Sequence, residues 1–129
     1  VIDSLVQSLM LQKHDSAKAK TSFIIAANFA KQNNAIKAEQ YYTQGIAYAK
    51  QAKHYNLALY GYNELGYFFE MQNKYAKALE IYNSGQQYGE RYTTDLELAR
   101  LFSNIAFVYS SLTKYRLSIV YAQKSLNIY

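Results

Sequence analysis

The chain has 129 residues, half of them hydrophobic, and its 14 basic and 9 acidic side chains give a formal net charge of +5. It contains no proline, cysteine or tryptophan and only five glycines, which excludes disulfide scaffolds, zinc–cysteine sites and most all-β designs. No apolar run approaches the ~20 residues that a membrane-spanning helix needs. The basic residues are scattered along the chain, so we expect a solvated surface and no nucleic-acid partner. This length suffices for a single domain with a hydrophobic core.

The first predicted element is a leading helix within residues 1–14, running from about residue 2 to about residue 12. Its expected N-cap is Asp3, which precedes the apolar residues Leu5, Leu9 and Met10. The chain starts at Val1 without a signal-peptide hydrophobic region, and we expect that any segment upstream of it has been removed.

After this helix the sequence repeats with a period of 40 residues. Residues 33–45 align with residues 73–85, where Lys37, Ala38, Tyr42 and Gly45 are matched by Lys77, Ala78, Tyr82 and Gly85. The same shift extends to a third copy. We therefore predict one domain with repeats over residues 15–53, 54–92 and 93–129, the last truncated at its C-terminal end.

Each copy is predicted to form two helices, because apolar residues recur at spacings of three and four in both of its halves. Helix-poor pairs predict the turns at Asn33-Asn34, Asn73-Lys74 and Thr113-Lys114, with return connections near Lys53-His54 and Arg91-Tyr92. Asp15 or Ser16 is the expected cap of the first repeat helix, and Thr94 with Glu97 forms a capping box that starts a helix near residue 95. The total is seven helices and no strands.

Small residues recur at three positions of the repeat, which predicts close helix crossings. These positions are Ala26, Gly66 and Ala106; Ala38, Ala78 and Ser118; and Gly45, Gly85 and Ser125. A glycine inside a helix costs about 1 kcal/mol relative to alanine. Its recurrence one period apart therefore indicates a packing requirement.

These residues resemble the tetratricopeptide repeat. The resemblance is clearest in the second copy, through Tyr62, Leu65, Gly66, Phe69, Tyr75, Ala78, Tyr82 and Gly85, and it covers roughly residues 19–129. The period of 40 exceeds the usual ~34 residues, and Lys50 and Glu90 stand where the closing proline is missing. The resemblance implies an all-α, right-handed superhelical solenoid of helical hairpins, and the extra length of the period, nearly two helical turns, predicts lengthened helices and short loops. The resemblance also implies a role in binding a protein or peptide.

A narrower resemblance lies at the start of the chain. The segments Ile2-Asp3-Ser4-Leu5 and Asp15-Ser16-Ala17-Lys18 resemble the opening of the input regions of sensor histidine kinases of the Bacteroidetes type. This implies the periplasmic or other extracytoplasmic part of a membrane-anchored sensor in a two-component system. The alternatives are a cytoplasmic adaptor and a structural scaffold that assembles proteins without a ligand switch.

Motifs for catalysis are missing from the sequence. It has no glycine-rich phosphate loop and no hydrolase motif, and neither His14 nor His54 has ligands at metal-binding spacing. We therefore predict that this fragment is not an enzyme and uses no cofactor or metal.

The predicted binding surface is the concave side of the repeat stack, which the first helix of each hairpin lines. Its candidate residues are Lys20, Phe23, Tyr60, Asn63, Tyr67, Glu70, Arg100, Ser103 and Phe107, with Ala27, Ala30 and Ser110 in the same register. This mixture predicts an extended peptide partner, with rings as anchors and Asn63 pairing with its backbone, and not an acidic C-terminal tail. The alternative is that some of the rings only pack against their neighbours.

A second predicted contact surface is the open C-terminal end. The chain stops at Tyr129 without a polar capping helix, although terminal repeats normally carry a polar outer face. We expect Leu126 and Tyr129 to be partly exposed, and to pair with another copy or with a further helix of the full protein.

Overall fold

The computed structural model describes residues 1–92 and 96–128. Within these residues it contains seven α-helices and no strand, which confirms the predicted all-α class. The helices are α1 Ile2–Leu11, α2 Asp15–Lys31, α3 Ala35–Gln51, α4 Tyr55–Met71, α5 Tyr75–Tyr92, α6 Leu96–Ser111 and α7 Tyr115–Leu126. Thr94 of the predicted capping box lies outside the described residues. None of the described helices is long and apolar enough to cross a lipid bilayer.

Four of the connections share one turn geometry. Asn33, Lys53, Asn73 and Thr113 all have a positive φ, between 56° and 60°. In the first turn the N–H of the next residue, Asn34, donates to the Phe29 carbonyl at 2.9 Å. The same backbone bond recurs after α3, α4 and α6, and it is the bond that closes a helix through a left-handed residue. The hairpin turns predicted from the sequence are therefore confirmed.

Two predicted helix caps are wrong. The N-cap of α1 is Val1, and Asp3 lies inside the first turn of that helix. The N-cap of α2 is His14, and Asp15 is its first helical residue; neither cap makes a side-chain hydrogen bond. An acidic side chain also stabilises a helix from within the first turn, through the helix dipole. An acidic residue near the start of a helix therefore does not show whether it is the N-cap or lies in the first turn.

The chain divides into two compact units, residues 1–61 and 62–129, with the boundary inside α4. In the first unit α1 packs on α2, and α2 packs on α3. The ring of Phe23 is buried in this unit between two glycines. A Cβ atom at Gly45 would lie 2.5 Å from Cε1 of Phe23, and one at Gly61 would lie 2.6 Å from its Cζ. The glycine at position 45 therefore makes room for a ring of the neighbouring helix.

In the second unit α5 packs on α6, and α6 packs on α7. The fully buried ring of Tyr82 lies against the backbone of Gly66, where any side chain would collide with it.

The third copy has serine where the others have alanine or glycine. The Ser118 hydroxyl donates to the Ala106 carbonyl at 2.8 Å, and the Ser125 hydroxyl donates to the Ala99 carbonyl at 2.9 Å. Each hydroxyl is thus satisfied by the backbone of α6, so serine keeps the close crossing without leaving a buried polar group unpaired.

Candidate functional site

An open pocket of about 430 Å³ lies in the first unit, between α2 and the beginning of α4. We call it the α2–α4 pocket. It is lined by Lys20, Phe23, Ile24, Ala27, Asn28 and Lys31 of α2, and by Leu57 and Tyr60 of α4. The α2 residues recur at spacings of three and four, so they lie on one face of that helix. Three of the predicted groove residues, Lys20, Phe23 and Tyr60, are thus brought together.

The floor and one wall of the pocket are aromatic. Phe23 and Tyr60 pack edge to face, with ring centroids 5.6 Å apart and an interplanar angle of 63°. Phe23 is buried and held between two glycines, whereas Tyr60 is partly exposed. Phe23 therefore forms a rigid floor, and Tyr60 forms a partly exposed aromatic wall.

One lining residue of the pocket is a small side chain at a position where the other two copies carry a ring. Ala27 aligns with Tyr67 and Phe107 at the 40-residue period. The neighbouring Ile24 is the only apolar residue in its column, and about half of its surface is exposed. The first copy thus presents an apolar cleft where the others present bulky or polar side chains.

Two lysines contribute the positive charge of the pocket. Lys20 and Lys31 are exposed, and neither forms an ion pair within the described part of the chain. None of the described lining residues is acidic. The amide of Asn28 donates one N–H to the Ile24 carbonyl at 2.9 Å, which leaves its other N–H and its oxygen available to a ligand. The pocket therefore combines an apolar floor with a cationic rim.

The structure places Asn63 in the interior of the second unit. It is 0% exposed, and its Nδ2 atom donates to the carbonyl and to Oε2 of Glu97, both at 3.1 Å. Its Oδ1 atom accepts from Nδ2 of Asn104 at 3.0 Å. Both sides of the amide are therefore engaged with residues of α6. Asn63 is thus placed away from any open surface, and its amide is satisfied internally.

Glu70 is also in the interior of the second unit. It accepts a hydrogen bond from the Tyr82 hydroxyl at 3.0 Å. Burial raises the pKa of Glu70, and the hydrogen bond from Tyr82 offsets part of this effect. Burial, and then the charge of Glu70, likewise raise the pKa of Tyr82. The two side chains form a buried pair that a ligand cannot reach.

The remaining predicted residues lie in the second unit with different accessibility. Arg100 pairs with Glu64 at 2.8 Å and with Glu97 at 3.5 Å. The Ser103 hydroxyl lies 2.7 Å from that of Ser125. Tyr67 and Phe107 are 45% and 56% exposed. The rings of Tyr67 and Phe107 are thus accessible to solvent, whereas the side chains of Arg100 and Ser103 already have partners within this unit.

Four residues of the pocket were missed in the sequence analysis, namely Ile24, Asn28, Lys31 and Leu57. The signal for the first three was present, because they extend the helix face of Lys20 and Phe23 by steps of three and four.

Metal chemistry finds no support in the described residues, which contain no group of three His, Cys, Asp or Glu that could hold an ion. His14 and His54 are both exposed, each immediately before or at the start of a helix.

No family model matches the chain, and no curated protein is similar enough to it to match.

Proposed function

We propose that this chain is a non-catalytic binding module of tetratricopeptide-like repeats, arranged as a right-handed solenoid, which recognises a peptide or protein segment. We further propose that it is the extracytoplasmic sensory input region of a bacterial signalling protein such as a histidine kinase. The observation that carries the proposed binding role is the α2–α4 pocket, which unites Lys20, Phe23 and Tyr60.

The repeated turn geometry supports the repeat assignment. Asn33, Asn73 and Thr113 stand 40 residues apart, and all three adopt the left-handed conformation. Each turn is only three residues long, since the helices resume at Ala35, Tyr75 and Tyr115. The 40-residue period predicts lengthened helices joined by short loops, and these bounds agree with that prediction.

The chemistry of the pocket supports a peptide ligand. Its volume of about 430 Å³ falls within the usual range for small-ligand sites, ~300–1,000 Å³. A rigid aromatic floor anchors an apolar side chain, while polar groups at the rim orient the chain that carries it. The polar groups that are buried in the second unit, such as Asn63 and Glu70, already satisfy one another. Binding, rather than catalysis, is the role that this arrangement supports.

The test is a selection of peptides from a random phage-displayed library on the folded chain, followed by fluorescence polarisation. Ala27→Tyr introduces the residue that the second copy carries in the same register, and it fills the pocket. We expect this variant to fold normally and to bind the selected peptides at least ~10-fold more weakly. Ala47→Tyr is the matched control, because Ala47 is exposed on α3 outside the pocket. Equal affinity of wild type and Ala27→Tyr would refute the proposal.

A scaffold role is the second candidate, and the exposed face of α7 favours it. Tyr115, Ile119 and Leu126 lie on one helical stripe, and the last two are 68% and 65% exposed. Leu126 is matched in the first copy by Ile46, which is buried and contacts the α4 position Gly61. We propose that a second copy covers this face. Light scattering should detect a dimer that Ile119→Glu abolishes, and a strictly monomeric species at high concentration contradicts this assembly.

A further inference from the structure

We infer that the α2–α4 pocket selects an acidic peptide, in which two carboxylates flank one apolar side chain in an extended segment. This inference rests on the proposed function and specifies the chemistry of its ligand.

The first argument is charge complementarity. Lys20 and Lys31 stand at the pocket without an ion pair in the described part of the chain. The described lining residues include no carboxylate to offset them. A neutral apolar peptide gains no electrostatic attraction from the two hydrated ammonium groups, whereas a peptide with one carboxylate on each side of the apolar residue pairs with both. Like-charged peptides are rejected by the same lysines.

The second argument is the spacing of the two lysines. They are 11 positions apart on one continuous helix, which corresponds to about 16 Å along its axis. An extended peptide advances about 3.3 Å per residue. Two acidic residues about five positions apart therefore span the two ammonium groups, and the flexible lysine stems absorb small differences.

The third argument is what lies between the lysines. Ile24 and Ala27 form the apolar surface beside the aromatic floor, and Asn28 retains one N–H and its amide oxygen. An extended peptide offers a backbone N–H and a carbonyl to such an amide. An aliphatic side chain midway between the acids occupies the cleft that Ala27 leaves open. The order acid, apolar residue, acid thus follows from the order of the α2 residues.

A nucleic acid is the competing polyanion, and the pocket fits it less well. Affinity for nucleic acids depends on many phosphate contacts, whereas this pocket offers two lysines separated by apolar surface.

The experiment measures fluorescence polarisation of a labelled synthetic peptide with two glutamates about five positions apart and one leucine midway between them. The paired probe carries glutamine in place of both glutamates. We expect the glutamate peptide to bind the wild-type chain about 10-fold more tightly than the glutamine peptide. Lys20→Gln with Lys31→Gln should remove this preference. The matched control is Lys13→Gln with Lys74→Gln, which changes the net charge equally at exposed positions outside the pocket and should preserve the preference.

Absence of binding by the glutamate peptide overturns the inference, and so does equal affinity for the two peptides. The proposed function survives either result if the phage-selected peptides still lose affinity for Ala27→Tyr, and it fails if they do not. A single-stranded oligonucleotide that binds more tightly than the glutamate peptide, and depends on the same two lysines, overturns the inference in favour of a nucleic acid.

Discussion

The substitution Gly66→Ala tests whether the small-residue positions of the repeat exist to admit a neighbouring ring. A Cβ atom at position 66 would lie 2.5 Å from Cδ1 and 2.6 Å from Cζ of Tyr82. Carbon atoms in van der Waals contact are about 3.5–4.0 Å apart, so the ring must move. Tyr82 is fully buried and its hydroxyl donates to the buried Glu70 at 3.0 Å. Displacement of the Tyr82 ring therefore both strains the surrounding packing and weakens this hydrogen bond.

The expected magnitude follows from three contributions. Overpacking costs about 1–3 kcal/mol, and loss of a hydrogen bond to a buried polar group costs about 1–3 kcal/mol. The higher helix propensity of alanine offsets about 1 kcal/mol. We expect Gly66→Ala to lower the free energy of unfolding by about 3 kcal/mol, measured by urea denaturation followed by circular dichroism.

The control is a double-mutant cycle with Tyr82→Leu, which replaces the ring by a smaller side chain. If the ring is the obstacle, Tyr82→Leu costs less in the Gly66→Ala background than in the wild type, with a coupling of at least about 1 kcal/mol. A Gly66→Ala variant as stable as the wild type or more stable, as helix propensity alone predicts, would refute this reasoning.

Three further predictions concern the left-handed turn residues, the buried carboxyl of Glu70 and the exposed rings of the second unit. Thr113→Gly should raise the free energy of unfolding by about 1 kcal/mol in the same assay, because a β-branched residue is disfavoured at a φ of 60°. Asn73→Gly should raise it less, because asparagine tolerates this conformation better. An unchanged free energy of unfolding in Thr113→Gly would contradict this strain. The raised pKa of Glu70 means that its contribution to stability is complete below about pH 4.5 and is lost as pH rises through the raised value. Glu70→Gln should therefore gain stability relative to wild type as pH rises above about 4.5, and parallel stability–pH curves would contradict this. Tyr67→Ala with Phe107→Ala should fold normally and change the free energy of unfolding little, since about half of each ring is exposed; a large loss of stability in urea denaturation would contradict this.

Helix number and hairpin turns could be predicted from the sequence because both depend on local patterns. The 40-residue period placed the turns at Asn33, Asn73 and Thr113, and all three close a helix through the same backbone geometry. The first residue of a helix is harder to predict, since an acidic residue such as Asp3 or Asp15 stabilises the helix either as its N-cap or from within the first turn. Local chemistry alone does not distinguish an N-cap residue from a residue of the first turn.

The candidate site was predicted in part, because burial depends on contacts between helices and not on one helix. Asn63 and Glu70 were assigned to an accessible face of α4, but most of that helix is buried, and both side chains are satisfied by partners distant in sequence. The pocket depends on the combined volume of side chains from α2 and α4. Two signs of it were present in the sequence: Ala27 in a column that otherwise holds Tyr67 and Phe107, and the face of α2 that continues from Lys20 and Phe23 in steps of three and four.

The measurement that tests the central claim most directly is nuclear magnetic resonance titration of the isotope-labelled chain with a phage-selected peptide. Binding in the α2–α4 pocket predicts saturable shifts that are largest at the amides of Ile24, Ala27 and Tyr60, and that disappear in Ala27→Tyr. Shifts confined to α7 around Ile119 and Leu126, with those three amides unmoved, would contradict the assignment of the binding site.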